Sequence, residues 1–287
     1  MIPSSDVLAP AQLGSAEYSV AAVFAWGTSD FLGGYCTRRA NAFLFTAIVN
    51  IGGLAVMLLL AFLSHSTFPP LRNSLWLLAG GLAGGAALAI FYRALASGKM
   101  GLTAPVSAVL SAAIPTLFSI FTEGWPGRVR LAGFVVAAAG LWLITRTEDG
   151  ASPEGIGLAL LAGVGFSAFY MSVREAGTAP ALCVATLTRT GGLIATGTVA
   201  LSQRRFREIS RGGVVWAVIT GCIDSLGTIL FVYASRSGRL DEAVVISSLY
   251  PAVTVLLARL VLKEHFSRWR LAGLLAALAA VPMIASG

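Results

Sequence analysis

Three ionisable side chains stand where the sequence has almost no other charge. Asp30 interrupts the apolar run from Tyr18 to Tyr35, Arg189 the run from Leu182 to Leu201, and Asp224 the run from Gly212 to Tyr233. At the middle of a bilayer such a charge costs on the order of 2.5–3.5 kcal/mol on insertion scales, so it faces a partner or a cavity. Two chemistries follow. Arg189 can close a structural ion pair with Asp224 or Asp30, or one carboxylate can hold a proton or an amine. Aromatic side chains interleave with these charges. Trp26, Tyr92, Phe166 and Tyr250 can line a pocket for an apolar or aromatic group, with cation–π contact on offer to an amine. Ser107, echoed by Ser247, adds hydroxyls. The candidate binding set is therefore Trp26, Tyr92, Ser107, Phe166, Asp224 and Tyr250. Asp30, Asp224 and Arg189 are candidates for a coupling site or a structural pair. Pro115 and Pro251 each free a carbonyl and can bend a helix, which makes them gating candidates.

These residues need elements to hold them. The 287-residue chain is 56% hydrophobic and only 11% charged, against roughly 25% charge in ordinary soluble domains. That is too little charge for a polar shell, which excludes a soluble globule. A helix needs about 20 residues to cross the hydrocarbon. Charge-poor runs of that order recur ten times between Tyr18 and Ser286. The fold class expected is an all-α polytopic membrane protein with ten transmembrane helices. Residues 1–17 read as a flexible segment. It has no basic start and no clean cleavage signal, so the first helix reads as retained. The small residues Gly80, Gly81, Gly84 and Gly85 crowd the third run, as close helix packing in lipid demands. Trp76, Trp125, Trp142, Trp216 and Trp269 lie nearer span ends and read as interfacial anchors.

A shift of 140 residues lays one half of the chain on the other. Phe91, Ala94, Ser97 and Gly98 fall on Phe231, Ala234, Ser237 and Gly238. Arg128, Arg130, Leu131, Ala132 and Gly133 fall on Arg268, Arg270, Leu271, Ala272 and Gly273. The same shift places Trp26 on Phe166, Ser107 on Ser247 and Gly52 on Gly192. The chain thus reads as two five-helix repeats, 18–146 and 155–286. An odd number of spans per repeat forces the second copy into the membrane from the opposite side. Inverted pairs of this kind are a recurrent basis for alternating access, with the solute at the interface of the halves. The matched aromatics Trp26 and Phe166 are then positioned to face a shared cavity.

With these features the chain resembles the drug/metabolite transporter superfamily, in its ten-helix branch with two EamA-type repeats. The resemblance rests on the five-plus-five layout and on Ala25-Trp26-Gly27-Thr28-Ser29-Asp30-Phe31. It rests further on Phe91-Tyr92-Arg93-Ala94-Leu95, Tyr250-Pro251, Glu264 and Trp269-Arg270-Leu271-Ala272-Gly273. Two departures stand out. Many members carry an acidic-Pro pair before the fifth and tenth helices, where this chain reads Glu123-Gly124-Trp125-Pro126 and Glu264-His265-Phe266-Ser267. Asp30 is not a general feature of the superfamily. The resemblance implies a transporter of amino acids or other metabolites, with export favoured over import and both termini in the cytoplasm.

No phosphate loop, dinucleotide turn or zinc-protease motif is present, and His65 and His265 stand in loops without a ligand set. The chain is expected to be neither an enzyme nor dependent on a cofactor or metal. Cys36, Cys183 and Cys222 share no ligand spacing. The net charge of +7 reads as loop charge facing lipid headgroups, not as a nucleic-acid surface. The expected function is secondary transport of a small organic solute by alternating access. The solute class expected is an amino acid or related metabolite. The alternative is efflux of a lipophilic cation or drug, proton-coupled through a membrane carboxylate; a channel or structural membrane protein is a further one. The expected setting is a bacterial inner membrane, as a monomer or weak dimer. The positive-inside rule points the other way on orientation. Loops after odd-numbered helices carry more Lys and Arg, chiefly Arg204, Arg205, Arg207 and Arg211, which favours external termini.

Overall fold

Each apolar run closes into a helix because only intra-segment hydrogen bonds satisfy a backbone placed in lipid. The structure, a computed structural model, describes residues 10–64, 68–97, 100–123, 127–146, 153–177, 179–204, 209–237, 246–247, 249–264 and 267–285. Among them are ten helices. The first half holds α1 (Pro10–Cys36), α2 (Ala42–Leu63), α3 (Leu71–Ser97), α4 (Met100–Glu123) and α5 (Arg128–Arg146). The second holds α6 (Pro153–Glu175), α7 (Ala181–Gln203), α8 (Arg211–Ser237), α9 (Tyr250–Val261) and α10 (Arg268–Ala285). By length and composition, α2, α3, α6 and α8 contain stretches long and apolar enough to cross a membrane, and shorter apolar stretches lie in α4, α5, α9 and α10.

Local sequence sets the helix ends. Pro10 and Pro153 open α1 and α6, where a missing N–H costs no hydrogen bond. Asn41 caps α2, its side chain accepting from the Leu44 amide at 3.1 Å. Helix α1 starts ahead of the apolar run that begins at Tyr18, because Ser15 near its start donates to the Ala234 carbonyl at 2.9 Å and ties that turn to α8. Helix α9 starts later than the run suggests. Pro251 falls in its first turn, so it breaks no hydrogen bond inside that helix, whereas Pro115 lies within α4 together with Pro105.

The two halves pack by exchange. The most extensive contacts are between α3 and α6, between α1 and α8, and between α5 and α10. Adding five to a helix number converts the first of these pairs into the second and leaves the third unchanged. Likewise α3 on α7 is matched by α8 on α2, and α4 on α6 by α9 on α1. This is the pairing of two inverted repeats about a pseudo-two-fold axis. Small residues make it close. A methyl group on Gly85 would meet the backbone of Gly192, and one on Gly221 would meet the Val49 carbonyl. Lipid supplies no hydrophobic drive between helices, so such backbone approach carries the association. Outward faces are apolar, as at Phe62 and Val135, which are 77% and 70% exposed.

Ten crossings place both chain ends on one face. That terminal face also holds the α3 start and α6 end, where Asn73 donates to the Ala176 carbonyl at 2.7 Å. The opposite face is clasped by longer polar side chains. Lys263, in the left-handed region at φ 53°, turns the chain after α9. Glu264 then reaches the amides of Met100 and Gly101 at 3.0 and 3.2 Å and capping the α4 start. Arg38 approaches the same carboxylate at 3.9 Å. Arg93 pairs with Glu154 at 3.1 Å, and Asn41 donates to Gln203 at 2.7 Å. A cleft of about 550 Å³ beside them is lined by Thr37, Asn41, Arg93 and Gln203 among others.

Candidate functional site

Helices α7 and α8 supply the charged centre. Arg189 is ion-paired with Asp224, and both side chains are 12% exposed. The Ser29 hydroxyl, from α1, donates to the other Asp224 oxygen at 3.4 Å. Gly53 on α2 makes room for the pair. A Cβ there would come within 2.7 Å of Ser225 Oγ and 3.3 Å of Arg189 Nε. Of the two partners open to Arg189 in the sequence, the fold selects Asp224. Asp30, next to Ser29 in α1, takes no part in this ion pair. It is 6% exposed and has no hydrogen-bond or ion-pair partner among the described residues.

The candidate aromatics divide into two related sets. Trp26 packs on Phe231 at 5.5 Å and edge-on to Tyr250 at 6.2 Å, over the small face of Gly227. Phe166 packs on Phe91 at 5.8 Å. The 140-residue shift turns the Trp26–Phe231 contact into the Phe166–Phe91 contact, since 26 becomes 166 and 91 becomes 231. The two matched aromatics therefore each rest on a helix of the other half. Tyr92 is fully buried, with its ring against Gly33 and edge-on to Phe45 at 6.1 Å.

Four buried hydroxyls have no hydrogen-bond partner among the described residues: those of Tyr92, Ser107, Ser225 and Ser247. A buried polar group without a partner is costly, and each such group in a native fold asks for a cause. Ser107 and Ser247 hold equivalent positions in the two repeats, so the feature is built twice. Among the described residues no group of acidic, histidine or cysteine side chains is arranged to hold a metal ion.

A helical protein with paired five-helix halves and a buried polar centre fits many sequences, so family comparison decides its kinship. The EamA-like transporter family matches the chain twice, over residues 16–146 and 153–286. The chain belongs to the EamA-like transporter family. Membership makes it a multi-pass membrane transporter that moves a small solute through a lipid bilayer, not an enzyme. A protein of known crystal structure is similar to this EamA-like chain over 94% of this chain and 96% of that one, with a TM-score of 0.64 at 18% identity. At that identity the likeness concerns the fold alone. No curated protein matches the chain in sequence.

Sequence reasoning passed over three residues. Glu264 was legible as a motif residue but not as the cap of α4. Ser29 adjoins Asp30 without a signal of its own. Pro105 lies in an ordinary apolar run.

Proposed function

We propose that this EamA-like protein is a secondary transporter that exports an amino acid or a related small metabolite from a bacterial cell by alternating access. The observation that carries the reading is the exchange packing of two inverted halves around buried polar groups. Inverted repeats that rock against each other can open a shared site to either side in turn. The glycine contacts between α3 and α7, and between α2 and α8, give smooth surfaces for such movement. Unpartnered hydroxyls at Ser107, Ser247 and Tyr92 are suited to hydrogen-bonding a solute. In this reading Trp26, Tyr92, Ser107, Phe166, Asp224 and Tyr250 contact the solute. The Arg189–Asp224 pair holds α7 and α8 in register, and Pro115 bends α4 at the gate. Transport in this reading is secondary, driven by a gradient of the solute or of an ion, as the chain carries no nucleotide-binding motif.

Purified protein in proteoliposomes, tested with radiolabelled amino acids with and without a pH gradient, checks this. Saturable uptake of at least one amino acid above protein-free liposomes is expected. Flux that rises linearly with concentration for every solute, or none at all, overturns it.

A further inference from the structure

The Arg189–Asp224 pair does more than packing requires. The desolvation of two buried charges outweighs their attraction unless the remaining protons and lone pairs are satisfied, and apolar side chains of the same volume pack as well. Here satisfaction is incomplete. A guanidinium carries five N–H donors, and Arg189 has no partner besides Asp224 among the described residues. Asp224 gains only the long 3.4 Å contact from Ser29. The hydroxyl of Ser225, the next residue, is fully buried and without a partner among the described residues. The repeat does not ask for the pair either, since Val49 and Gly84 stand at the equivalent places.

The pair stands where the halves meet. Asp224 lies midway along α8 and Arg189 on α7, both in the second half. The first half contributes Ser29 from α1 and the bare backbone of Gly53 from α2. A single point above Gly53, where a Cβ would sit, is 2.7 Å from Ser225 Oγ and 3.3 Å from Arg189 Nε. The unpartnered hydroxyl and the guanidinium therefore converge there. Asn50, one turn earlier on α2 and 3% exposed, lies against Gly192, one turn beyond Arg189. Four helices thus bring one cation, one anion and an unused hydroxyl to one locus, on the interface that inverted repeats open in turn.

Two opposite charges in contact are matched by a solute that carries the same two charges close together. An α-amino acid has its ammonium and its carboxylate on one carbon. When the pair parts, the carboxylate takes Arg189, whose planar fork suits it, and the ammonium takes Asp224. The buried charge sums to zero before and after, and neither side chain is left alone. An anion would take Arg189 and strand Asp224, and a cation would do the reverse. Stranding one member of a buried pair is the costly outcome.

We propose that Arg189 and Asp224 recognise the two charges of a zwitterionic α-amino acid, with Ser225 donating to its carboxylate. This rests on the transport reading above and adds the residues and the charge type that select the solute. Between turnovers the two side chains hold each other and fix α7 to α8. An arriving zwitterion takes the place of each partner. A lipophilic cation, which cannot compensate Arg189, is excluded.

The full-length protein in nanodiscs is titrated by calorimetry with L-phenylalanine, L-leucine and L-threonine, and with the N-acetyl derivative and the methyl ester of each. At least one free amino acid is expected to bind, and both of its derivatives to bind more weakly by roughly a hundredfold or more. The double variant Arg189→Met, Asp224→Leu is expected to fold and to lose binding of the free amino acid by a similar factor. Ser225→Ala removes a hydroxyl that holds nothing in the closed pair. It is expected to leave the melting point unchanged or raised while weakening binding by roughly three- to tenfold, which a purely structural pair would not produce. Should the double variant fail to fold, Ser225→Ala and the derivative series decide. Derivatives that bind like the free amino acid, a wild type that binds none of the three, or unchanged binding in whichever variant folds overturn the assignment. Saturable amino-acid uptake by the double variant at the wild-type rate would remove this site and leave the transport reading standing. Absence of saturable uptake in the wild type would remove both.

Discussion

Removing one member of the Arg189–Asp224 pair should damage the fold more than removing both. Each side chain is 12% exposed, so neither can recover its hydration when the other is lost. Asp224→Leu leaves a buried guanidinium alone, and Arg189→Met leaves a buried carboxylate with only the 3.4 Å contact from Ser29. Breaking a buried pair from one side costs about 3–5 kcal/mol, while replacing both members with apolar residues of similar volume is often neutral or better. At about 2 °C per kcal/mol for a large chain, each single variant should lose about 6–10 °C of thermal stability in detergent. The double variant Arg189→Met, Asp224→Leu should recover most of that loss. The repeat equivalents support a local role for the pair. Subtracting 140 gives Val49 and Gly84, so symmetry does not require charge at these places. The measurement is a double-mutant cycle on detergent-solubilised protein, followed by fluorescence or by loss of the monodisperse chromatographic peak. If both single variants melt like wild type, or if the double variant loses the sum of the two, the pair is not the buried structural unit described.

Other perturbations read other contacts. Gly85→Ala forces a methyl group into the Gly192 backbone and should cost at least the roughly 1–3 kcal/mol of ordinary overpacking, whereas Gly157→Ala, within α6 and with nothing within 4 Å, should leave the melting point unchanged or slightly raised. Glu264→Ala orphans the Met100 and Gly101 amides and should cost about 1–2 kcal/mol in the same assay. Lys263→Gly relieves a left-handed backbone at φ 53° and should raise stability by about 1 kcal/mol, provided the Glu264 contacts survive. Orientation is testable with a variant lacking Cys36, Cys183 and Cys222. Family resemblance expects Ser202→Cys to react with an impermeant thiol reagent on intact cells and Arg72→Cys to be protected, and the reverse pattern would vindicate the loop-charge count.

The helices were readable because lipid imposes a simple rule: about 20 residues without charge make a span. The repeat was readable because Arg128-Val129-Arg130-Leu131 and Arg268-Trp269-Arg270-Leu271 mark the same structural opening twice. Partner choice was not. Asp30 and Asp224 carry the same cost in sequence, and only the packing of α1, α7 and α8 decides which meets Arg189. Pro251 shows a different limit. A proline in an apolar run reads as a kink, but it opens α9 because the described helix begins one residue before it.

Solute exchange tests the account at its centre. Proteoliposomes are loaded with an unlabelled amino acid that the protein carries, diluted into buffer, and offered a trace of the same amino acid labelled. A carrier that alternates between two faces returns more readily when loaded. The account therefore predicts accelerated, transient accumulation of label above its outside concentration, abolished when the internal solute is omitted. Label that only equilibrates, at the same rate with and without internal solute, would describe a channel and contradict the account.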